Sequence, residues 1–288
     1  MRDAQWRHST PRGVFIGDEE TARTVRARAR QWVAGLRESW HPLMVFTQSR
    51  FRATYRAQSL GIVWPIANPL ILMVVMSLVF GVVFRAAMPA YPVFLMLGLV
   101  LWHFVIHAWT DGTSSLVRHS AIVKQTAVPA YVVVVGTVLS HLFTLGFASL
   151  SLVPLIAFYP EAFRVMPALI LLPVLILLAL LTTVGLVFAT SVLNVRYRDV
   201  GYIVDSVLLV LFWATPIVWP IENVPRWMHP VLWINPVASI LQCLRTVVMH
   251  GAFPPLPLFA EAVASSLGTL VVGVLVYRRY HYQVADHV

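Results

Sequence analysis

The 288-residue chain is 59% hydrophobic and 11% charged, and its 21 Arg and Lys residues against 12 Asp and Glu residues give a formal net charge of +9. Because a soluble domain carries roughly 25% charged residues, this composition excludes an ordinary water-soluble protein and indicates a membrane protein. The single cysteine, Cys243, excludes an intrachain disulfide.

The N-terminal part of the chain is polar and rich in arginine. Residues 1–38 lack the apolar core of roughly 7 to 15 residues that a signal peptide needs, so we predict a cytoplasmic tail there. The next segment places Phe51 and Tyr55 on one helical face and Arg52 and Arg56 together beside it. This pattern predicts an amphipathic helix in the inner membrane interface, with its aromatic side in lipid and its arginines toward the phosphates.

Six apolar stretches follow that are long enough to cross a bilayer, because a helix needs about 20 apolar residues to span roughly 30 Å. Most basic residues fall on the side that holds the N-terminal segment, so the positive-inside rule predicts that both termini are cytoplasmic. We therefore predict an all-α integral membrane fold with spans at 62–84, 92–110, 130–157, 166–192, 201–219 and 258–277.

The segment between the fifth and sixth spans is apolar but interrupted by prolines. Each proline removes a helical hydrogen bond, so one continuous span is excluded, and we predict two short re-entrant helices at the outer surface. Trp227 and Trp233 suit an interfacial depth, and they act either as an outer gate or as simple interfacial anchors. The prolines are Pro216, Pro220, Pro225, Pro230 and Pro236.

The chain lacks the motifs of an ATP-driven motor. Its only lysine, Lys124, lies between Val123 and Gln125 and so does not match a P-loop. The centres of the predicted spans hold no Asp, Glu, Lys or Arg, which disfavours an ion-coupled carrier. We therefore expect the driving force to come from outside this chain, which would hold no cofactor or metal. Together with the resemblance described below, this predicts a transporter subunit and not an enzyme.

Two histidines in the second span are the exception among the span centres. His103 and His107 are four residues apart and lie on one helical face. Their functional interpretation is a proton relay or a metal pair. Their structural interpretation is that they hydrogen-bond within the bundle or face a wet cavity.

Four blocks of the sequence resemble permease subunits of type-2 ABC exporters for polysaccharides, in the order that this family shows. The blocks lie at the start of the first span, in the loop after the second, in the turn after the fourth and in the proline-rich outer region. The matching residues are Tyr55, Arg56, Ser59, Leu60, Gly61, Trp64 and Pro69; Ile122, Lys124 and Pro129; Asn194, Tyr197, Arg198 and Asp199; and Pro216, Ile217, Pro225, Asn235, Pro236 and Arg245.

The resemblance implies a transmembrane exporter domain over 39–280, followed by a cytoplasmic tail over 281–288. It also implies a homodimer that works with two copies of a separate P-loop ATP-binding subunit, which would hold the ATP and Mg. The expected cargo is a polyprenyl-diphosphate-linked polysaccharide such as O-antigen, moved across the bacterial inner membrane. A drug or lipid exporter of the same superfamily and a membrane-embedded glycan-modifying enzyme are the alternatives.

The loop after the second span is the predicted contact with the ATP-binding subunit. A short helix over 114–127 would seat in the motor through apolar anchors and a polar face. Arg198 and Asp199, in the turn after the fourth span, form either a structural ion pair or a second contact with the motor. The predicted anchors are Leu116 and Ile122, and the predicted polar face is Arg118, His119 and Lys124.

Two further sets of residues are candidates for contact with the cargo. The lipid diphosphate would bind where it enters to Arg50, Arg52 and Arg56, because arginine offers bidentate hydrogen bonds. The alternative is that these three arginines only attract anionic phospholipid. Trp102 and Trp109, seven residues apart on one face of the second span, would line the glycan channel or pack within the bundle.

Overall fold

The computed structural model describes residues 39–56, 60–83, 89–125, 128–163, 167–225, 227, 232 and 234–281. Within these ranges the regular structure is helical, and no strand occurs, as the sequence predicts. The predicted tail over 1–38 and most of the one over 281–288 lie outside the described residues.

The helices are labelled in chain order. Short 3₁₀ turns at Pro160–Ala162, Pro167–Leu171 and Ile221–Asn223 connect some of them, and a π-helical turn, Leu78–Val83, extends α2. The α-helices are α1 (39–56), α2 (Val63–Ser77), α3 (Tyr91–Thr113), α4 (Ser115–Arg118), α5 (Ser120–Gln125), α6 (Ala130–Ser149), α7 (Leu152–Phe158), α8 (Leu172–Arg196), α9 (Val200–Ala214), α10 (Pro236–Met249) and α11 (Leu256–Tyr280).

Within the described ranges, five helical stretches are long and apolar enough to cross a membrane, and they match five of the six predicted spans. The predicted fifth span, 201–219, differs, because α9 has 15 residues and a length of about 22 Å, less than the roughly 30 Å of a hydrocarbon core. Thr215 leaves the helical conformation just before Pro216, as the residue before a proline usually does. The five stretches are Val63–Gly81, Tyr91–Thr113, Ala130–Phe158, Pro167–Arg196 and Leu256–Tyr280.

Helix α3 lies at the centre of the bundle. It packs against α2, α6, α8, α9 and α10, and most of its residues are buried. By contrast, few residues of α2 and α11 are buried, which suits a position facing lipid or another chain.

Helices α8 and α11 cross with their backbones in contact. A Cβ atom added to Gly273 would collide with the backbone of Gly185, and one added to Gly185 would collide with the backbone of Leu270 and Thr269. Small residues allow this close approach, which is a common way for helices to associate in membranes.

The proline-interrupted segment after α9 is held in place by buried Arg245 of α10. Its guanidinium donates hydrogen bonds to the carbonyl oxygens of Pro216, Ile217 and Phe94, and it lies 3.3 Å from the centre of the Phe94 ring. The carbonyls of Pro216 and Ile217 need such a donor because the chain is not helical at 215–220. The re-entrant pair stays a prediction, since 226, 228–231 and 233 lie outside the described residues.

Replacing Arg245 by lysine should lower the thermal stability of the chain. The planar guanidinium serves several carbonyls at once, whereas an ammonium on a flexible stem does not, so we expect a loss of about 1–3 kcal/mol. The measurement is the unfolding midpoint of the purified chain in detergent, with Arg279→Lys at the exposed end of α11 as the control. Equal midpoints for the two variants would contradict this role of Arg245.

Candidate functional site around Asp111

The C-terminal end of α3 carries a carboxylate that joins four helices. Asp111 Oδ2 accepts hydrogen bonds from Arg50 Nη2 of α1 and from His141 Nε2 of α6, both at 3.1 Å. Asp111 Oδ1 accepts a third hydrogen bond from Arg118 Nη1 of α4 at 3.0 Å. We call Arg50, Asp111, Arg118 and His141 the Asp111 cluster.

The members of the Asp111 cluster differ in burial, and this decides what each contact contributes. The side chains of Arg50, Asp111 and Arg118 are 12%, 30% and 53% exposed, respectively. Burial lowers the pKa of Arg50, and the charge of Asp111 opposes that shift. The contacts of Asp111 with Arg50 and with His141, whose side chain is 11% exposed, therefore matter more than the exposed ion pair with Arg118, which contributes little.

The predicted coupling segment forms two short helices, α4 and α5, with His119 between them. Leu116 is fully buried and Ile122 packs against the core, so they hold the segment on its own bundle. Leu116 is therefore not available to seat in a motor subunit, which corrects that part of the prediction. Arg118 and Lys124 are exposed and face away from the core. This arrangement suits the predicted contact with a partner, which stays a prediction.

His119 connects the coupling segment to α1. Its Nε2 lies 3.4 Å from Arg50 Nη1, and its ring meets the Phe46 ring edge-on at 5.3 Å. Its Nδ1 lies 3.0 Å from the Ser115 carbonyl oxygen, which makes Nδ1 the protonated nitrogen and Nε2 the acceptor. Burial lowers the pKa of His119, and the charges of Arg50 and Arg118 lower it further. His119 is therefore neutral at pH 7, with a hydrogen-bond acceptor toward Arg50.

The aromatic side of α1 packs on protein and not on lipid, which corrects the expectation from the sequence. The Phe51 ring stacks on Phe147 of α6 at 5.8 Å, and the Tyr55 hydroxyl lies 2.9 Å from the Thr144 hydroxyl. Gly136 of α6 lacks a side chain at the point where α1 crosses it, so the two helices approach closely.

The three arginines of α1 separate into two groups. Arg50 belongs to the Asp111 cluster, so its charge is already paired. Arg52 and Arg56 are exposed, and they remain the candidates for contact with a diphosphate or with lipid phosphates.

A cavity of about 260 Å³, lined by both polar and apolar side chains, lies between α1, α2, α3 and α6, next to the Asp111 cluster. The rings of His103 and His107 stack at 5.8 Å, and those of His107 and His141 at 6.3 Å, so three histidines line one wall. Among the described residues, no group of three or more His, Cys, Asp or Glu side chains is placed to hold a metal ion. His103 and His107 therefore face a cavity, as one of the predicted alternatives requires, and the proton relay and the metal pair stay predictions.

The turn between α8 and α9 is closed by Asn194. Its Oδ1 accepts a hydrogen bond from Gly201 N at 3.2 Å, and the Arg196 guanidinium lies 5.3 Å from the centre of the Tyr197 ring. Arg198 and Asp199 are exposed, and these two described side chains do not form the structural ion pair that the sequence allows. Their contact with a motor subunit stays a prediction.

The predicted tryptophans lie in different surroundings. Trp102 and Trp109 are buried: the Trp102 ring packs against Phe212, and Trp109 Nε1 donates to Thr190 Oγ1 at 3.3 Å. Their burial favours packing over channel lining. Trp227 is exposed, as a gate or an interfacial anchor requires, and Trp233 lies outside the described residues.

Sequence reasoning missed Asp111 and His141. A signal for Asp111 was present, because it is the only acidic residue between Glu38 and Glu161, and that stretch contains several arginines. A lone carboxylate among basic residues that border a membrane is expected to be paired. No comparable signal marks His141.

These features define a multi-pass helical membrane protein with a charged centre at one end of its bundle. The sequence model of the family described as ABC-2 type transporter matches residues 42–249, so the chain belongs to that family.

The chain is also similar to several characterised relatives. It is 25% identical over 249 residues to an O-antigen export system permease protein, RfbA, of Klebsiella pneumoniae, covering 85% of this chain and 93% of the relative. It is 29% identical over 228 residues to the protein of the same name in Myxococcus xanthus, covering 77% and 86%. Similarity to the polysialic acid transport protein KpsM of Escherichia coli is 21% over 222 residues, covering 76% and 85%.

Proposed function

We propose that this chain is the permease subunit of an ATP-driven exporter that moves a polyprenyl-diphosphate-linked polysaccharide, of the O-antigen type, out of the cytoplasm across the inner membrane. The observation that carries the proposal is the similarity to O-antigen export permeases over nearly their whole length. Those relatives favour a glycan cargo over the drug or lipid cargo of other exporters in the superfamily.

The proposed assembly is a homodimer of this chain with two copies of a P-loop ATP-binding subunit, which holds the ATP and Mg. Both termini lie in the cytoplasm, and α9 with the proline-interrupted segment completes a sixth crossing. The absence of a P-loop around Lys124 supports a separate motor. The glycan would pass between the two protomers, because most residues of α3, at the centre of a single protomer, are buried.

In this proposal the Asp111 cluster transmits the motion of the motor. The ATP-binding subunit would press on the exposed side chains of Arg118 and Lys124. Arg118 shares the Asp111 carboxylate with Arg50, so a displacement of α4 also changes the support of α1. Helix α1 carries exposed Arg52 and Arg56, which would bind the lipid diphosphate through charge-assisted hydrogen bonds.

A cysteine at Lys124 should test both the motor contact and the cargo. In cells whose only copy of the chain is the Lys124→Cys variant, a thiol crosslinker should yield an adduct with a P-loop ATP-binding protein and stop the appearance of new glycan at the cell surface. Arg279 is exposed at the C-terminal end of α11, and Arg279→Cys is therefore the matched control. This variant should leave surface glycan unchanged. Absence of an adduct in every nucleotide state, or normal glycan export after complete crosslinking, would refute the proposal.

A further inference from the structure

The end of the bundle opposite the Asp111 cluster holds a second, larger cavity. Its volume is about 640 Å³, within the range of roughly 300–1,000 Å³ that is usual for small-molecule sites. It lies between the N-terminal end of α3, the C-terminal end of α7 and one face of α10. The coupling mechanism described above makes no use of it.

We propose that this cavity binds an uncharged sugar unit of the glycan as it leaves the membrane. The inference rests on the proposed function for the source of the sugar, and it adds a site and a ligand class that the proposed function does not contain. In the proposed orientation the Asp111 cluster lies at the cytoplasmic end of the bundle. The length of α3 separates the cavity from this cluster by about 30 Å, so the cavity lies at the outer end.

The first support is an unused hydrogen-bond donor in the wall. Gln242 lines the cavity, and its Nε2 is buried without a hydrogen-bond partner among the residues that the structure describes. Buried polar groups nearly always have partners, so a donor without one points to a group that the structure lacks. A small rotation of the Gln242 side chain toward the cavity would give its amide a ligand hydroxyl as acceptor.

The second support is the charge of the wall, which selects against anions. The Arg245 guanidinium already binds three backbone carbonyls and the Phe94 ring, so it offers little to a ligand. Glu161 and Glu222 line the same cavity with exposed carboxylates. Carboxylates accept hydrogen bonds from hydroxyl groups and repel phosphates, so the wall favours a sugar over a diphosphate or a phospholipid headgroup.

The third support is the aromatic rim. Phe158 is 78% exposed and Tyr159 is 37% exposed, and both line the cavity. Exposed aromatic rings beside a few convergent polar groups are typical of a ligand site, where apolar faces give contact area and polar groups fix orientation. A sugar ring has both kinds of surface, because its C–H face packs on an aromatic ring while its hydroxyls reach the carboxylates.

Photocrosslinking in exporting cells tests the inference. Phe158 is replaced by p-benzoylphenylalanine, which keeps the phenyl ring and reacts with nearby C–H bonds under light. Phe253 is 60% exposed in the loop between α10 and α11 at the same end of the molecule, but it does not line the cavity, so it is the matched control. We expect a glycan adduct of high mass at position 158 and none at 253. Adding Gln242→Leu should reduce the adduct about tenfold, the effect of losing one buried hydrogen bond.

The outcomes separate this inference from the proposed function. One result is that surface glycan depends on the chain but labelling at position 158 is no greater than at position 253. This result overturns the sugar site and leaves the exporter proposal intact. Surface glycan that does not depend on the chain overturns both. The amount of each variant in the membrane is measured alongside. If the Gln242→Leu variant does not accumulate, the comparison of positions 158 and 253 in the chain that keeps Gln242 still tests the sugar site.

Discussion

Changing Asp111 to asparagine is expected to abolish glycan export while the chain still inserts into the membrane. The Arg50 side chain is 12% exposed and would lose its counter-ion, and the removal of one partner from a buried ion pair costs about 3–5 kcal/mol. Because Asp111 itself is 30% exposed, we expect about 2–3 kcal/mol here, enough to release α1 from α3 without unfolding the spans. The measurement is surface glycan relative to the amount of chain in the membrane.

The cost should fall when Arg50 is removed as well. Arg50→Gln combined with Asp111→Asn leaves no unpaired buried charge, so the double variant should recover about half of the lost stability. For stability, Arg118→Gln is the matched control within the cluster, and since Arg118 is 53% exposed, it should cost less than about 1 kcal/mol of unfolding free energy. Full export by the Asp111→Asn variant would exclude the cluster from the transport mechanism.

The membrane spans could be predicted because they are set by composition over short distances. A run of about 20 apolar residues has few alternatives in a bilayer, so the five spans lie close to their predicted positions. The shortness of α9 within the predicted span at 201–219 is equally local: Pro216 ends α9 early, and buried Arg245 binds the freed carbonyls.

The Asp111 cluster could not be derived in the same way, because its contacts are distant in sequence. Arg50 is 61 residues from Asp111 and His141 is 30 residues from it. An amphipathic pattern indicates that α1 has two faces, but it does not tell whether lipid or another helix covers the aromatic one. Packing of Phe51 against α6 decided that question, and of the three arginines of α1, Arg52 and Arg56 are exposed whereas Arg50 is paired with Asp111.

Replacing Gly273 by alanine is expected to have the largest effect on folding. One added methyl group would meet the backbone of Gly185, so α8 and α11 would have to move apart over their whole contact. Overpacking by a methylene costs typically about 1–3 kcal/mol when side chains can adjust, and the cost is higher here because backbone cannot. We expect a loss of more than about 3 kcal/mol, seen as little monodisperse chain after detergent extraction.

Gly268 provides the matched control on the same helix. A Cβ added there meets nothing within 4 Å, so Gly268→Ala should be neutral or should stabilise the chain by up to about 1 kcal/mol through helix propensity. The two substitutions are chemically identical and five residues apart, so a difference between them reports only the crossing with α8. Similar yields and midpoints for the two variants would mean that α8 and α11 do not meet at Gly185, and the packing of the whole bundle around α3 would then need a different arrangement of its last span.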